Sequence, residues 1–261
     1  MCHKILMCPA DHFTVSYSIN PWMKEGSVNP ERAKQQWQQL AETYRNLDIE
    51  VDMVEPNAEL PDMVFAVDQG IVVDNKVVLS NFRYDERKGE SDIYSKWFED
   101  HGYEVVRPSQ NHFLEGGECL EWRGTYFLGV GFRADKETKK ELIELLGHPV
   151  VYLELINEYF YHLDTCFFPL NDEVAFYYPP AFAEQSIEML KNAGGTLIEL
   201  TEAEAKNFAA NSIVLDKTVV TQKGNDRFAD ILKRIGYEVV ELEMDEFMKS
   251  GGGIHCLTLK L

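Results

Sequence analysis

The chain has 261 residues, 45% of them hydrophobic, and its 44 acidic against 25 basic residues give a formal net charge of −19. A chain of this length and hydrophobicity can bury a large core, so we expect a globular protein rather than a disordered one. The acidic excess makes nucleic acids and anionic membranes poor partners, whereas a small cation would be attracted.

The five cysteines show neither the C-x-x-C spacing of a zinc site nor the density of a disulfide scaffold, a pattern that suits a reducing compartment. No basic segment followed by an apolar run opens the sequence, and no run of about 18 apolar residues occurs. We therefore expect a cytoplasmic protein.

A helix followed by a short β-rich run recurs five times along the chain. The first helix is the clearest, because Asn29 suits the N-cap, Pro30 suits the first helical position, and Ala33, Trp37, Leu40, Tyr44 and Leu47 share one face. Later helices are predicted near residues 93–100, 138–146, 184–192 and 227–235. The β-rich runs are residues 47–56, 101–108, 146–155, 193–200 and 235–242, and further strands are predicted at 71–73, 77–79 and 219–221.

The spacing of these units, roughly 40 to 55 residues, indicates a repeat architecture. Helices interleaved with strands also fit a doubly wound α/β sheet. However, no G-x-G-x-x-G follows an early strand and no Walker-type loop is present. Five like units favour closure into a ring, in which a ligand would bind where the inner strands end.

Cys256 follows three consecutive glycines, residues 251–253, and is a candidate nucleophile. Glycines allow positive φ and a close approach of the backbone to a ligand, which would leave a thiol there within reach. The alternative is a flexible tail that ends in a small buried cysteine.

Residues 161–167 alternate between apolar and polar, which predicts a strand with His162, Asp164 and Cys166 on one face. A histidine beside a carboxylate fits acid–base catalysis, and a buried structural histidine fits equally well. A metal site formed by these three residues is disfavoured, since no further Cys or His cluster has ligand spacing.

Asp62 and Asp68 are six residues apart in apolar surroundings, so both would lie on one face of a continuous strand. Burying Asp68 unpaired would cost several kcal/mol, roughly, so we expect a cationic partner or ligand. Arg87 and Arg133 are candidates for that pairing, or for binding a substrate carboxylate. Glu115 precedes two glycines, a pattern that usually marks only a turn.

Four motifs occur in the order PDMVFAVDQG (61–70), LEGGE (114–118), HLDTCF (162–167) and GGGIHCLTL (251–259). The set resembles the guanidine-modifying, or pentein, superfamily of arginine deiminases, arginine dihydrolases, dimethylarginine dimethylaminohydrolases and amidinotransferases. With MCPADH (7–12) and INPWM (19–23), it is most similar to the deiminase-like domain of bacterial arginine dihydrolases. The resemblance implies a five-bladed α/β propeller of ββαβ-type units, which we expect to form one catalytic domain over residues 1–261.

The resemblance also implies a role for each motif residue. Cys256 would be the nucleophile and His162 the general acid and base, while Glu115 would orient the histidine and contact the guanidinium. The implied substrate contacts are Asp68 and Asp164 to the guanidinium nitrogens, Asp62 to the α-ammonium, Arg87 and Arg133 to the α-carboxylate, and Asn20 as a helper. No metal or cofactor is implied, and the expected partner is a small cationic guanidino compound.

The implied reaction is hydrolysis through a thiouronium intermediate on Cys256, giving citrulline and ammonia from arginine. Dimethylarginine hydrolases tend to carry Lys in place of Asp164, and dihydrolases, which proceed to ornithine, carry Asn in place of Asp68. An ionised Asp68 favours a cation over neutral citrulline, so we predict that hydrolysis stops at citrulline. Glu118, where the family commonly has Asp, could reshape the pocket.

The alternatives are dimethylarginine hydrolysis or dihydrolysis to ornithine, then amidino transfer, then a non-catalytic arginine-binding pentein. The sequence does not indicate an oligomeric state.

Overall fold

The predicted repeat takes the form of three-stranded sheets that share one connectivity. In each sheet the middle strand pairs antiparallel with one neighbour and parallel with the other. A parallel partner requires a crossover connection, and a helix supplies it in every unit. The predicted ββαβ-type unit is confirmed, and the residues described below contain five copies.

The computed structural model describes residues 4–261. The strands are β1 (Lys4–Met7), β2 (Glu50–Met53), β3 (Gly70–Val73), β4 (Lys76–Leu79), β5 (Glu104–Val106), β6 (Cys119–Trp122), β7 (Thr125–Val130), β8 (Val150–Glu154), β9 (Phe167–Pro169), β10 (Val174–Tyr177), β11 (Thr196–Glu199), β12 (Ile213–Leu215), β13 (Thr218–Gln222), β14 (Glu238–Leu242) and β15 (Leu259–Lys260). The helices are α1 (Pro30–Asn46), α2 (Asp85–Lys88), α3 (Glu90–Asp100), α4 (Thr138–Leu146), α5 (Glu184–Asn192), α6 (Glu202–Lys206), α7 (Asp226–Ile235) and α8 (Asp245–Met248). Every predicted helix and β-rich run has its counterpart here.

The first compact unit comprises the residues up to 67 and residues 202–261. It holds the sheets β15-β1-β2 and β12-β13-β14. The last strand, β15, pairs antiparallel with β1, with Ile5 opposite Lys260, and so completes the first repeat. The predicted cap of α1 is confirmed, because the Asn29 side chain accepts a hydrogen bond from the backbone N–H of Arg32. The predicted apolar face of α1 is buried as far as Tyr44.

The second compact unit, residues 68–201, holds the sheets β3-β4-β5, β6-β7-β8 and β11-β10-β9. Part of its core forms where α4 packs on β8 and β7, and the apolar side chains there include Leu128, Leu142 and Val150. The prediction of one pentein domain over residues 1–261 stays a prediction beside these two units.

Two segments differ from the strands expected of them. Residues 61–69 contain the 3₁₀ helices Pro61–Val64 and Ala66–Gln69, and only Gly70 of the motif belongs to a strand, β3. Residues 163–165 form another 3₁₀ helix directly after His162. Pro61 lacks the N–H that a strand ladder needs and fits a first helical position. The hydroxyl of Thr165 donates to the carbonyl of His162 at 2.6 Å, and this local bond favours a turn over a strand.

None of the described helices is long and apolar enough to cross a membrane. Among the described residues, Cys8, Cys119, Cys166 and Cys256 are buried and form no disulfide, and Cys2 lies outside the described residues.

Candidate active site

The imidazole of His162 lies between two buried carboxylates of the second unit. Its Nε2 is 2.9 Å from Oε2 of Glu115, in hydrogen-bond geometry, and its Nδ1 is 3.4 Å from Oδ1 of Asp68. The second contact is ionic and lacks hydrogen-bond alignment. His162 and Glu115 are fully buried and Asp68 is 3% exposed, so these charges act in a site shielded from water.

Gly117 explains the glycine pair that follows Glu115. A β-carbon at this position would lie 2.7 Å from Oδ1 of Asp68 and 3.0 Å from Nδ1 of His162. A side chain here would therefore displace either the carboxylate or the ring. The glycines in this motif make room for two functional groups, so more than a turn is involved.

Two buried arginines neutralise the carboxylates. Arg133 donates to Oε2 of Glu115 at 3.0 Å, and its guanidinium lies over the rings of Tyr84 and Tyr161, 4.7 and 4.6 Å from their centres. Arg87 donates from Nη1 to Oδ2 of Asp68 at 2.7 Å. The pairing of Asp68 with a cation, expected from its burial, is confirmed with Arg87 as the partner. Contact of either arginine with a substrate carboxylate stays a prediction.

Glu90 is a member of this network that the sequence did not reveal. It accepts two hydrogen bonds from Arg87, at 3.0 Å from Nε and 2.9 Å from Nη2, and one from Gln69 at 2.6 Å. The bidentate contact fixes the plane of the guanidinium while its third edge faces Asp68. The i,i+3 spacing from Arg87 is a signal that could have identified Glu90.

The pKa values in this network follow from competition between burial and charge. Burial raises the pKa of Glu115, but Arg133 and His162 outweigh it and lower that pKa to about 2. Burial lowers the pKa of His162, but Asp68 and Glu115 outweigh it and raise that pKa to about 9. At neutral pH the ring is therefore an imidazolium beside the ionised carboxylate of Glu115.

Glu118, the residue that departs from the family pattern, has a different character. It is fully buried, and its Oε2 accepts one hydrogen bond, from the backbone N–H of Leu163 at 3.1 Å. Burial raises its pKa well above the usual range, and the neighbouring charge of Glu115 adds to the rise. A β-carbon at Gly129 would collide with Oε2, so this glycine makes room for the longer acid. Glu118 thus holds the turn that carries His162 through its bond with Leu163, and its burial favours the protonated form.

Several buried polar atoms around the imidazole have no hydrogen-bond partner among the described residues. They are Oδ1 of Asp68, Oε1 of Glu115, Oε1 of Glu118 and Nδ1 of His162. Buried polar atoms in a folded protein are usually completed by protein groups, by ordered water or by a ligand. The carboxylate oxygens can accept hydrogen bonds from a planar cation with several N–H groups.

Asp164 is 1% exposed and lies two residues after His162, within the 3₁₀ helix 163–165. The thiol of Cys166 donates to the carbonyl of Leu163 at 3.5 Å. Across residues 4–261, no group of three or more His, Cys, Asp and Glu side chains is placed to hold a metal ion. The alternative metal site of His162, Asp164 and Cys166 is therefore not formed.

Asp62 and Asn20 belong to one cluster in the first unit, linked by Ser250. The hydroxyl of Tyr17 donates to Oδ2 of Asp62 at 2.8 Å, and the Ser250 hydroxyl donates to Oδ1 at 3.4 Å. The amide of Asn20 donates to the carbonyl of Ser250 at 3.0 Å. The structure thus brings two predicted residues together and adds Tyr17 and Ser250, which sequence reasoning missed.

Cys256 lies in a hydrogen-bonded turn of the first unit and is 2% exposed. Its carbonyl accepts from the N–H of Val67 at 3.2 Å. Gly251 has φ +86°, and a β-carbon at Gly252 would collide with the ring of Phe65. The glycines serve a closely packed turn rather than a flexible tail, while the cysteine is buried as that alternative expected, and its role as nucleophile stays a prediction.

Comparisons with known proteins identify the family. The family model described as N,N dimethylarginine dimethylhydrolase, eukaryotic, matches residues 11–261. The N(G),N(G)-dimethylarginine dimethylaminohydrolase of Mycobacterium tuberculosis is 37% identical over 98% of this chain and 84% of its own length. The chain belongs to the dimethylarginine dimethylaminohydrolase family. The predicted enzyme class, an amidine hydrolase, is confirmed by this membership.

Arginine dihydrolases are also similar to this member of the family. The bifunctional arginine dihydrolase/ornithine cyclodeaminase AgrE of Nostoc sp. is 40% identical over 99% of this chain, which spans 38% of that protein's length. The substrate-bound N-terminal domain of ArgZ, an arginine dihydrolase of cyanobacteria, matches with a TM-score of 0.96 and 38% identity. That match covers 98% of this chain and 97% of the ArgZ chain, and it confirms the predicted pentein fold class.

Proposed function

We propose that the chain hydrolyses the guanidino group of arginine to citrulline and ammonia through a covalent intermediate on Cys256. The observation that carries the proposal is the imidazolium of His162 held between the buried carboxylates of Asp68 and Glu115, beside acceptor atoms without partners. A guanidinium is planar, permanently charged and rich in N–H donors, so it is complementary to these acceptors.

In the proposed reaction, the thiolate of Cys256 attacks the guanidinium carbon and forms a C–S bond. His162 donates its proton to the departing nitrogen, and ammonia leaves with the electron pair of the broken C–N bond. The neutral imidazole then accepts a proton from water as that water attacks the thiouronium carbon. The C–S bond then breaks with its electron pair on sulfur while the hydroxyl of the adduct gives its remaining proton to solvent water, which forms the carbonyl of citrulline and returns the thiolate.

The remaining predicted residues bind the substrate in this proposal. Asp68 and Asp164 pair with the guanidinium nitrogens, and Glu115 orients His162 and contacts the guanidinium. The other end of the amino acid is bound by Asp62 at the α-ammonium, Arg87 and Arg133 at the α-carboxylate, and Asn20 as a helper. The substrate cation takes over charge compensation of Asp68 and Glu115 while the arginines bind its carboxylate.

The ion pair between Arg87 and Asp68, at 2.7 Å, supports release at the citrulline stage. Asp68 already binds one cation in this contact, the guanidinium of Arg87, and a carboxylate in such a setting binds a cation better than a neutral urea. Citrulline therefore loses the charge interaction that holds arginine, and we expect it to dissociate before a second hydrolysis.

Dimethylarginine hydrolysis is the second candidate, favoured by the family model and by the Mycobacterium tuberculosis relative. Burial of Asp164 weighs against it, since two methyl groups on one nitrogen remove N–H donors that a buried carboxylate needs. Dihydrolysis to ornithine is favoured by the ArgZ match and opposed by Asp68. A cytoplasmic location stays a prediction.

A substrate panel with mass detection tests the proposal. The purified chain is incubated with arginine, methylated arginines, agmatine, citrulline and guanidinoacetate, and arginine is expected to give citrulline and ammonia. Ornithine as the main product would contradict the role assigned to Asp68. The Cys256→Ala variant should bind arginine in calorimetry without turning it over, and preserved turnover would exclude Cys256 as the nucleophile.

A further inference from the structure

Asn211 lies between α6 and β12 and contacts Cys256 twice. Its side chain is fully buried, and its Oδ1 accepts a hydrogen bond from the backbone N–H of Cys256 at 3.2 Å. Its Nδ2 lies 3.1 Å from Sγ of the same cysteine. One amide therefore contacts both the main chain and the sulfur of a residue 45 positions away in sequence.

The orientation of this amide is fixed by hydrogen-bond chemistry. The backbone N–H of Cys256 only donates, so the atom that faces it must be the amide oxygen. The NH₂ group then faces the sulfur, and because it can only donate, the sulfur must accept. A hydrogen bond donated to sulfur stabilises the thiolate more than the thiol, since bonds to an ionised acceptor are stronger.

The surroundings hold both partners in place. A β-carbon at Gly253 would lie 2.9 Å from Oδ1 of Asn211, so this glycine allows the amide to approach the turn. The carbonyl of Asn211 accepts from the N–H of His255 at 3.1 Å. Asn211 thus contacts the turn through its backbone carbonyl as well as its side chain. Together these contacts restrict rotation of the side-chain amide.

We infer that Asn211 is a positioning residue that presents the sulfur of Cys256 and stabilises its thiolate by donating a hydrogen bond from Nδ2. The inference rests on the proposed function, in which this thiolate attacks the guanidinium carbon. A free cysteine is only about a few per cent ionised at neutral pH, so a fixed donor raises the reactive fraction before substrate arrives.

The Asn211→Asp variant tests the donor with little change in shape. One carboxylate oxygen still accepts from the backbone N–H of Cys256, but the other now faces Sγ and offers it no donor. Because an aspartate is ionised at the pH where a thiol titrates, the thiolate meets a like charge. We expect the pKa of Cys256 to rise by about one unit or more, which is a tenfold or larger fall in thiolate fraction.

The pKa is measured from the ultraviolet absorbance of the thiolate, as the difference between each protein and the same protein with Cys256→Ala. The matched control is Asn225→Asp, a second buried amide of the first unit, whose Nδ2 donates to the carbonyls of Asn207 and Gln222 at 3.1 and 3.0 Å. A rise in the pKa of Cys256 in Asn211→Asp that is absent from Asn225→Asp supports the inference. Equal values in the two variants overturn it.

Two further readouts separate this inference from its alternatives. The alkaline shift should also appear in the pH profile of kcat/KM for arginine, which a merely structural role would not move. If Asn211→Asp does not fold, the inference is tested instead by the NMR resonances of the side-chain NH₂ of Asn211 in the unmodified protein. They should follow the titration of Cys256 and stay constant in Cys256→Ala, and constant resonances in both overturn the inference. The titration needs no turnover, so failure of the proposed function would leave the thiolate result standing.

Discussion

Oε2 of Glu115 lies 2.9 Å from Nε2 of His162, and the same oxygen accepts the hydrogen bond from Arg133 at 3.0 Å. One oxygen thus compensates two buried cations, while Oδ1 of Asp68 faces the other nitrogen of the ring. Because the imidazolium has a carboxylate at each nitrogen, its proton is retained at neutral pH.

Replacing Glu115 by Gln should lower the pKa of His162 from about 9 toward its ordinary value. Gln keeps the shape but removes the negative charge that stabilises the imidazolium. We expect kcat to fall by roughly 10²- to 10⁴-fold, the range for loss of a general acid. NMR titration of the His162 ring and steady-state kinetics measure the two effects. The exposed Glu144→Gln variant is the control, and an unchanged His162 pKa in Glu115→Gln would refute the assignment.

The free energy of unfolding should depend on pH through His162. Its pKa is raised from about 6.5 to about 9 on folding, so its contribution is fully present below about pH 6.5 and is lost as the pH rises through 9. The shift corresponds to at most about 3 kcal/mol. Urea unfolding at pH values from roughly 6 to 10 gives the free energy of unfolding of the unmodified protein and of His162→Gln. The slopes of the two free energies against pH are then compared. Parallel curves would mean that the ring is not charged in the folded state.

On the acid side, Glu115 contributes with the opposite sign. Its pKa is lowered from 4.5 to about 2, so its stabilisation is present above about pH 4.5 and is lost as the pH falls through 2. Acid unfolding followed by circular dichroism should therefore begin at higher pH in Arg133→Met, which removes the main cause of the lowered pKa. An unchanged acid midpoint would show that Arg133 does not stabilise this carboxylate.

Glu118 should behave as a neutral acid. Glu118→Gln mimics the protonated carboxyl, so we expect it to leave the pKa of His162 unchanged and to alter stability by less than about 1 kcal/mol. Glu118→Asp shortens the side chain, weakens the hydrogen bond from Leu163 and should lower kcat. The ring titration distinguishes the alternatives, because a lower His162 pKa in Glu118→Gln would mean that Glu118 is ionised.

A β-carbon at Gly117 should separate Asp68 from His162. The Gly117→Ala variant places a carbon 2.7 and 3.0 Å from their facing atoms, so one side chain must move. We expect a loss of about 1 to 3 kcal/mol in stability and a fall in kcat/KM of about 10²-fold. Gly124→Ala is the control, because Gly124 has φ +72° and open space around it. That control should lose stability without losing activity.

The repeat could be predicted from the sequence because the signals that mark each unit are local in sequence. The cap formed by Asn29 and Pro30, the i,i+4 apolar steps and the β-rich runs all depend on neighbours within a few residues. Helices 138–146 and 184–192 therefore have the predicted bounds. The motif residues around His162 were also found, since the family pattern marks them.

The conformations at the site could not be predicted in the same way. Alternation at 161–167 indicates a strand only if the backbone is extended, and the hydroxyl of Thr165 instead bonds back to His162. Asn211 and Tyr17 were missed because each acts on a partner about 45 residues away, Cys256 and Asp62 respectively. No short sequence spacing identifies such a pair, so the contact can be recognised only in the folded structure.

The pairing of β15 with β1 places Leu261 beside Lys4, where the N–H of Leu261 donates to the carbonyl of Lys4 at 3.0 Å. A force that pulls these two residues apart would break the hydrogen bonds between β1 and β15 one after another, rather than loading them all together in shear. Mechanical unfolding that begins with the separation of β1 and β15 should therefore need only a low force.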